Sequence, residues 1–165
     1  MPAVNTLATL QANPLLNQAF TEAELRLFAT HLRIGEFGAG MPIMQEGEPA
    51  TQMMFLISGL ADVISNGVRL ARIKPRSFFG EGMFCPDAVR VADVVARERC
   101  LVAIFSLDNY QDFLNAAPES AIKFSRFFEN QRQEKALAKD RVLDRMDIWG
   151  QELTAWLEAG APLRR

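Results

Sequence analysis

Two charged side chains next to glycines have the clearest chemical potential in this sequence. Glu81 lies between Gly80 and Gly82, and Arg90 follows nine residues after Glu81. Arginine is a permanently charged, forked donor that can hold two phosphate oxygens at once, which lysine cannot imitate. A carboxylate accepts hydrogen bonds from hydroxyl groups, and neighbouring glycines allow the backbone to approach a ligand closely. The four residues are therefore suited to binding a small molecule that has both phosphate and hydroxyl groups.

The same two charged side chains have a second interpretation. A glutamate and an arginine also form ion pairs whose only role is in the fold, and such a pair needs no ligand. Other kinds of chemistry find less support. His31 is the only histidine, and Cys85 and Cys100 are two distant thiols, so the sequence offers no nucleophile–base pair and no cluster of metal ligands. We therefore expect a protein that is not an enzyme and that has no metal and no cofactor.

The composition limits the compartment and the partners. The 165 residues are 49% hydrophobic and 23% charged, which is enough apolar material for one folded domain, with or without an appendage. The net charge of −2 provides no basic surface for nucleic acid. No signal peptide or membrane-spanning run is evident, and two widely spaced cysteines suit a reducing compartment. The sequence thus predicts a cytoplasmic protein that binds neither nucleic acid nor membranes.

The elements that must position the two charged residues lie between residues 33 and 106. Glycines and prolines recur every few residues there and separate short apolar runs. Such a pattern is typical of a compact all-β sandwich or roll. The Asn66-Gly67 step predicts a type I′ hairpin between two of these runs, because that turn needs positive φ at both central residues. The last two strands are expected over 91–96 and 100–105.

Helices are predicted on both sides of this middle segment. Thr21 and Glu24 form a capping box at the start of an N-terminal helix, Ser106 is placed to cap a helix over 107–115, and Pro118 suits the first turn of another. We predict an α+β fold, with a compact all-β sandwich or roll flanked by an N-terminal helical segment and C-terminal helices. The predicted units are a flexible N-terminal arm over 1–12, a domain over 13–128 and a C-terminal helical extension over 129–165.

Several glycine-containing segments together resemble the cyclic nucleotide-binding domain family. The front half of that domain is similar to Phe37-Gly38-Ala39-Gly40, to Gln45-Glu46-Gly47-Glu48-Pro49-Ala50 and to Met54-Phe55-Leu56-Ile57-Ser58-Gly59. Its phosphate-binding cassette is similar to Phe78-Phe79-Gly80-Glu81 followed by Arg90-Val91-Ala92. The likeness extends over 13–128. The resemblance implies that the middle of this α+β fold is an antiparallel, jelly-roll-like β-roll of about eight strands. It also implies that the roll binds a cyclic nucleotide, with Glu81 at the ribose hydroxyl and Arg90 at the phosphate.

The resemblance also implies which residues line the pocket, with Val91 near the base. The others are Gly80, Glu81, Gly82, Met83, Arg90 and Ala92. Met83 stands where the family usually has a small residue, and Gly82 stands where an aliphatic residue is common. The two exchanges either compensate each other or leave the pocket partly filled. Val91 lacks the hydroxyl that helps to bind guanine, which favours cyclic AMP over cyclic GMP. Asp93 either brings a negative charge near the phosphate or faces solvent.

The implied function is that of a small cytoplasmic sensor. It would bind a cyclic nucleotide, preferably cyclic AMP, and relay occupancy through its C-terminal helix to a protein partner or to a second copy of itself. Trp149 and Trp156 share one predicted helical face, which packs on the roll, on a partner helix such as that of a second copy, or on a membrane. Because only a short stretch follows Arg145, we expect no winged DNA-binding domain. Two alternatives remain, a degenerate scaffold without a ligand and a cyclic-dinucleotide receptor with a remodelled pocket.

Overall fold

The structure is a computed structural model that describes residues 5–135 and 137. It confirms the predicted α+β fold, with eight strands in two antiparallel sheets and helices at both ends of the roll. Within the described part of the chain, no helix is long and apolar enough to cross a membrane.

Residues 118–135 are helical and are called α5. The other elements are α1 Thr6–Gln11, α2 Pro14–Ala19, α3 Glu22–Ala29, β1 Arg33–Phe37, β2 Pro42–Met44, β3 Gln52–Ser58, β4 Ala61–Ser65, β5 Val68–Ile73, β6 Phe78–Phe79, a 3-10 helix Glu81–Phe84, β7 Asp93–Ala96, β8 Cys100–Ser106 and α4 Leu107–Ala116.

Each of the two sheets has four strands. The first sheet has the order β1-β8-β3-β6, and the second has the order β2-β7-β4-β5. Strands β7 and β8 follow each other in sequence but belong to different sheets, so the last two strands do not pair with each other. The hairpin between β4 and β5 is confirmed, because Asn66 and Gly67 have φ of 52° and 73° and Ser65 pairs with Val68 across the turn.

Two apolar clusters hold the molecule together. One lies inside the roll, where side chains of both sheets meet, among them Met54, Leu56 and Val102. The other covers the opposite face of the first sheet and is rich in phenylalanine. There Phe28 packs edge-on against Phe105 at a centroid distance of 4.8 Å, and the remaining rings come from the strands and from the flanking helices. The aromatic cluster therefore joins the helices to the sheet that leads into the candidate site.

The N-terminal segment differs from the expected flexible arm. Residues 6–11 form α1, with the Asn5 side chain capping the helix by accepting from the amide of Ala8. Leu10 of this helix is fully buried in the aromatic cluster. Asn13 then caps α2 and also donates from Nδ2 to the carbonyl of Arg76 at 2.8 Å. The arm folds because it has a polar cap and apolar residues that the core can bury.

The other predicted helix starts are observed. Thr21 and Glu24 form a capping box at α3, and Ser106 forms another with Asn109 at α4. Two compact units are distinguished, one up to Arg132 and one from Gln133 onward. Of the second unit, residues 133–135 and 137 are described, and they are helical. The predicted tryptophan face lies outside the described residues.

Candidate functional site

The chain enters the candidate site through a sharp turn at Gly80. This residue has a φ of 86°, in the left-handed region that favours glycine. A Cβ atom at Gly80 would lie 2.5 Å from Cε of Met44 and 2.9 Å from the carbonyl oxygen of Gln52. Conformation and space thus both require glycine. The turn starts the 3-10 helix and directs Glu81 inward, where only 3% of its surface is exposed.

Arg90 reaches the same turn from the other side. Its Nη1 donates to the carbonyl of Gly80 at 3.1 Å, and its Nη2 donates to the carbonyl of Gln52. Burial lowers the pKa of the Arg90 guanidinium, while the negative charges of Glu81 and Glu48 act in the opposite direction. Arginine nevertheless stays protonated under physiological conditions. The structure therefore places a half-buried positive charge within electrostatic reach of the buried Glu81.

The backbone of Arg90 is also held. Its amide donates to the carbonyl of Glu48 at 2.7 Å, and its carbonyl accepts from the amide of Gly47 at 2.9 Å. Nearby, the amide of Ala50 donates to the carbonyl of Ala88 at 2.9 Å. These bonds make the segment before β7 a short partner of the β2–β3 loop, residues 45–51. Both the main chain and the side chain of Arg90 thus have fixed neighbours.

The other residues predicted for the pocket have different environments. Val91 is 62% exposed, and Ala92 is buried. The Met83 side chain is buried in the aromatic cluster, where it packs as core. A Cβ at Gly82 would lie 3.4 Å from Cβ of Ala50, which is a van der Waals contact with the β2–β3 loop. Met83 replaces the small residue that is usual in the family, and Gly82 replaces the aliphatic one. The fold accommodates the larger side chain because Met83 packs in the core.

Two residues at the site, Asp93 and Phe84, make contacts that the sequence did not indicate. Asp93, which the sequence placed near the phosphate or in solvent, accepts a hydrogen bond from the amide of Glu46 at 2.7 Å. Phe84, at the end of the 3-10 helix, stacks on Phe128 of α5 at a centroid distance of 5.8 Å. It also meets Tyr110 of α4 edge-on at 5.3 Å. Asp93 thus connects β7 to the β2–β3 loop, and Phe84 connects the 3-10 helix to α4 and α5.

A comparison with protein families agrees with this architecture. The model of the cyclic nucleotide-binding domain matches residues 34–117, which include both sheets, the turn at Gly80 and Arg90. The chain belongs to the cyclic nucleotide-binding domain family. Residues 78–92 are therefore called the cassette below, after the corresponding segment of the family.

Relatives of this cyclic nucleotide-binding domain include parts of larger proteins. It is 36% identical over 91 residues to Glutaminase 2 of Bradyrhizobium diazoefficiens, covering 54% of this chain and 14% of that protein. It is 32% identical over 114 residues to potassium/sodium hyperpolarization-activated cyclic nucleotide-gated channel 3 of Homo sapiens, covering 69% of this chain and 13% of the channel. The chain thus spans only a small part of the length of either relative.

Solved structures share the fold at low sequence identity. A cyclic nucleotide-binding domain from Methylobacillus flagellatus KT has a TM-score of 0.69 and 19% identity, covering 84% of this chain and 83% of that chain. The cAMP-bound PfPKA-R also has a TM-score of 0.69 and 19% identity, covering 86% and 46% of the two chains. These likenesses establish the β-roll fold of the cyclic nucleotide-binding domain.

Within the described residues of this cyclic nucleotide-binding domain, no three metal-binding side chains are placed to hold a metal ion. Cys85 and Cys100 are free thiols. Burial raises the pKa of the Cys100 thiol, and the charge of Glu98 adds to that effect. Glu81 and Arg90 are charged side chains that the structure brings close to each other at the Gly80 turn.

Proposed function

We propose that the protein is a regulatory module that binds a cyclic nucleotide, cyclic AMP in preference, at the cassette. The pocket would be formed by Gly80, Glu81, Gly82, Arg90, Val91 and Ala92, and by the main chain of Met83, whose side chain packs in the aromatic cluster. The observation that carries the proposal is the convergence of a buried carboxylate and a held guanidinium at one glycine turn. Glu81 is 3% exposed, and Arg90 donates to the carbonyl of Gly80, the residue before it. A phosphate ester with a free hydroxyl matches this pair of charges.

The guanidinium has donors left for a ligand. Arginine has five N–H groups in a planar fork, and two of them are used by the carbonyls of Gly80 and Gln52. A bound phosphate would take up other donors of the fork, while these two bonds would keep the guanidinium oriented. Glu81, as a carboxylate, would accept from the ribose 2′-hydroxyl. Because Arg90 is oriented before the ligand arrives, binding would need little reorganisation.

The preference for cyclic AMP rests on the base side of the cassette. Val91 is the residue after the arginine, it has no hydroxyl, and 62% of its surface is exposed. An apolar side chain there would pack against a flat base but would offer guanine no hydrogen-bond partner. Cyclic AMP would therefore bind more tightly than cyclic GMP.

A route for relaying occupancy begins at Phe84. Its ring lies between the cassette and the helices, with Phe128 of α5 and Tyr110 of α4 as neighbours. A ligand that shifts the 3-10 helix would shift this ring and so change the packing of α5. Useful coupling needs a difference in affinity between two arrangements worth about 1–3 kcal/mol. The C-terminal extension would pass the change to a protein partner or to a second copy of the chain.

One observation favours a second candidate, a scaffold without a ligand. The Arg90 side chain already has two backbone acceptors and lies near Glu81, so the same residues would also stabilise an empty roll. In that case the chain would act only as a surface for another protein.

Titration calorimetry separates the candidates. We expect cyclic AMP to bind, cyclic GMP to bind more weakly and cyclic di-GMP not to bind. Arg90→Lys keeps the charge but loses the fork, and the affinity for cyclic AMP should fall by about tenfold or more. Arg26→Lys, at an exposed ion pair on α3, is the control and should leave affinity unchanged. Absence of heat with every nucleotide would support the scaffold, and tight cyclic di-GMP binding would support the receptor with a remodelled pocket.

Assembly through the C-terminal extension is a separate part of the proposal. Light scattering of the full chain and of a version ending at Asp140 would compare their masses. A dimer mass for the full chain and a monomer mass for the shortened chain would support a homodimer through the extension. Equal monomer masses would contradict the homodimer and leave a different protein as the partner.

The proposal also includes the class and location of the protein. As a regulatory module, it would not be an enzyme and would bind neither nucleic acid nor membranes. It would reside in the cytoplasm, where free thiols such as Cys85 and Cys100 persist.

A further inference from the structure

The β2–β3 loop, residues 45–51, has a turn hydrogen bond of its own, from the amide of Glu48 to the carbonyl of Gln45 at 3.2 Å, and pairs with the segment before β7. Residues 45–49 are exposed and only Ala50 and Thr51 follow before β3 begins. Gly47 has a φ of 87°, so the main chain reverses direction within the loop. An exposed loop of this kind keeps one conformation only where specific hydrogen bonds fix it. The position of Arg90 depends on this loop, because its main chain pairs with Gly47 and Glu48.

Two side chains from neighbouring strands fix the loop at one residue. Oδ1 of Asp93, the first residue of β7, accepts from the amide of Glu46 at 2.7 Å. Oγ of Ser65, the last residue of β4, donates to Oε1 of Glu46 at 2.9 Å. Ser65 is buried, and Asp93 pairs with Ile64 in the register of β4 and β7. The second sheet thus holds both the main chain and the side chain of Glu46.

The held residue lies directly before those that pair with Arg90. The amide of Gly47 donates to the carbonyl of Arg90 at 2.9 Å, and the amide of Arg90 donates to the carbonyl of Glu48 at 2.7 Å. At the end of the loop, the carbonyl of Gln52 accepts from the Arg90 guanidinium. A displacement of Glu46 would therefore be passed on to the main chain of Arg90.

We propose that Asp93 is a positioning residue for Arg90, acting through the amide of Glu46 and the β2–β3 loop. The inference rests on the proposed function, because it concerns the arginine that would hold the phosphate. It also assigns a different role to a carboxylate that the sequence placed near the phosphate or in solvent. The charge of Asp93 is directed at a backbone amide, and a charged acceptor makes a stronger hydrogen bond than a neutral one.

The first test needs no ligand. Amide hydrogen exchange of the full chain would be compared for the original protein, Asp93→Ala and Asp93→Asn. We expect exchange at the amides of Gly47 and Arg90 to accelerate about tenfold in Asp93→Ala, because the loop loses its anchor. Asp93→Asn retains a side-chain oxygen and should stay within about threefold. Ser65→Ala should show a smaller effect in the same direction, and it replaces Asp93→Ala if that variant fails to fold. Unchanged protection in Asp93→Ala, or in Ser65→Ala where it takes that place, overturns the inference.

The second test measures cyclic AMP affinity. Asp93→Ala should weaken binding about tenfold, and Asp93→Asn should restore it to within about threefold. In an Arg90→Lys background, Asp93→Ala should add less than about twofold, since a residue acting through Arg90 has nothing left to position. Fully additive losses would mean that Asp93 acts independently of Arg90. Asp112→Ala, exposed on α4, is the matched control and should bind normally. If the original protein does not bind cyclic AMP but loop exchange changes as expected, the proposed function fails while the positioning role stands.

Discussion

Gly80 is the residue on which the shape of the cassette depends most directly, and a matched glycine makes this testable. Gly67 also has a positive φ, 73°, but a Cβ atom there would have nothing within 4 Å. Gly67→Ala should therefore cost only the left-handed strain, about 1–2 kcal/mol of unfolding free energy. Gly80→Ala should cost about 2–4 kcal/mol, because the Cβ also crowds the carbonyl of Gln52. Urea unfolding of both variants measures the difference, and equal losses would contradict the close approach.

Asp62 makes the stability of the second sheet dependent on pH. Burial alone would raise the pKa of Asp62, but hydrogen bonds from Arg72 at 3.1 Å and Arg97 at 3.2 Å hold it below its ordinary value. A carboxyl group whose pKa is lower in the folded state than in the unfolded state stabilises the fold at pH values above its unfolded-state pKa. This contribution is lost as the pH falls through the folded pKa.

Asp62→Asn should therefore be less stable than the original protein by about 1–2 kcal/mol at neutral pH. The difference should shrink steadily as the pH falls below the ordinary range of an aspartate and disappear once the original carboxyl is protonated. Chemical unfolding at a series of pH values checks this, with the exposed Asp112→Asn as the control. A difference that stays constant down to strongly acidic pH would show that the ion pairs do not cause it.

At the scale of elements, local signals were enough for turns and helix starts. The Asn66-Gly67 hairpin, the capping box of Thr21 with Glu24 and the helix cap at Ser106 follow from residues no more than three apart in sequence, and the structure has all of them. The order of the strands does not follow from such signals, since β1 pairs with β8 near the other end of the roll. Recognition of the family supplied the fold, and the pairing itself could not be read from the residues.

The candidate site shows the same limit. The glycine turn and the two charged side chains were evident from the sequence, because they lie within ten residues of each other. The bond between Asp93 and Glu46 joins residues 47 apart, and that between Arg90 and Gln52 joins residues 38 apart. No periodicity or spacing identifies contacts of this kind, because they depend on which strands become neighbours.

Substitutions of Phe84 test the proposed relay from the 3-10 helix to α4 and α5. Phe84→Leu keeps much of the apolar contact and should preserve the response, whereas Phe84→Ala removes the ring that meets Phe128 and Tyr110. We expect Phe84→Ala to keep cyclic AMP affinity within about threefold but to remove the ligand-induced change in amide exchange along 118–132, because a loose contact cannot transmit a shift. Phe37→Ala, in the cluster inside the roll, is the control for general destabilisation. A full response in Phe84→Ala would exclude this route.

For the molecule as a whole, the helices at the two ends of the described chain share one core. Phe20 at the end of α2 stacks on Phe124 of α5 at 3.9 Å between ring centroids. Lys123 of α5 donates from Nζ to both carboxylate oxygens of Glu24, at 2.9 and 3.0 Å. Burial alone would raise the pKa of Glu24, but the hydrogen bond with the backbone of Thr21 and the contact with Lys123 outweigh this effect and lower the pKa. Helix α1 enters the same cluster through Leu10. The N-terminal segment is therefore part of the folded unit up to Arg132.

Removal of residues 1–12 tests this conclusion against the flexible arm that the sequence predicted. The deletion exposes the site that Leu10 fills, and burial of one leucine side chain is worth about 2–4 kcal/mol in a packed core. Leu10→Ala should account for most of that loss, while Leu15→Ala, at a half-exposed leucine of α2, should cost less than about 1 kcal/mol. Thermal and urea unfolding measure all three. A shortened chain as stable as the original would mean that α1 contributes nothing to the fold. The expected loss would instead make the N-terminal helices, like α5, a part of the core through which the cassette is connected to the rest of the protein.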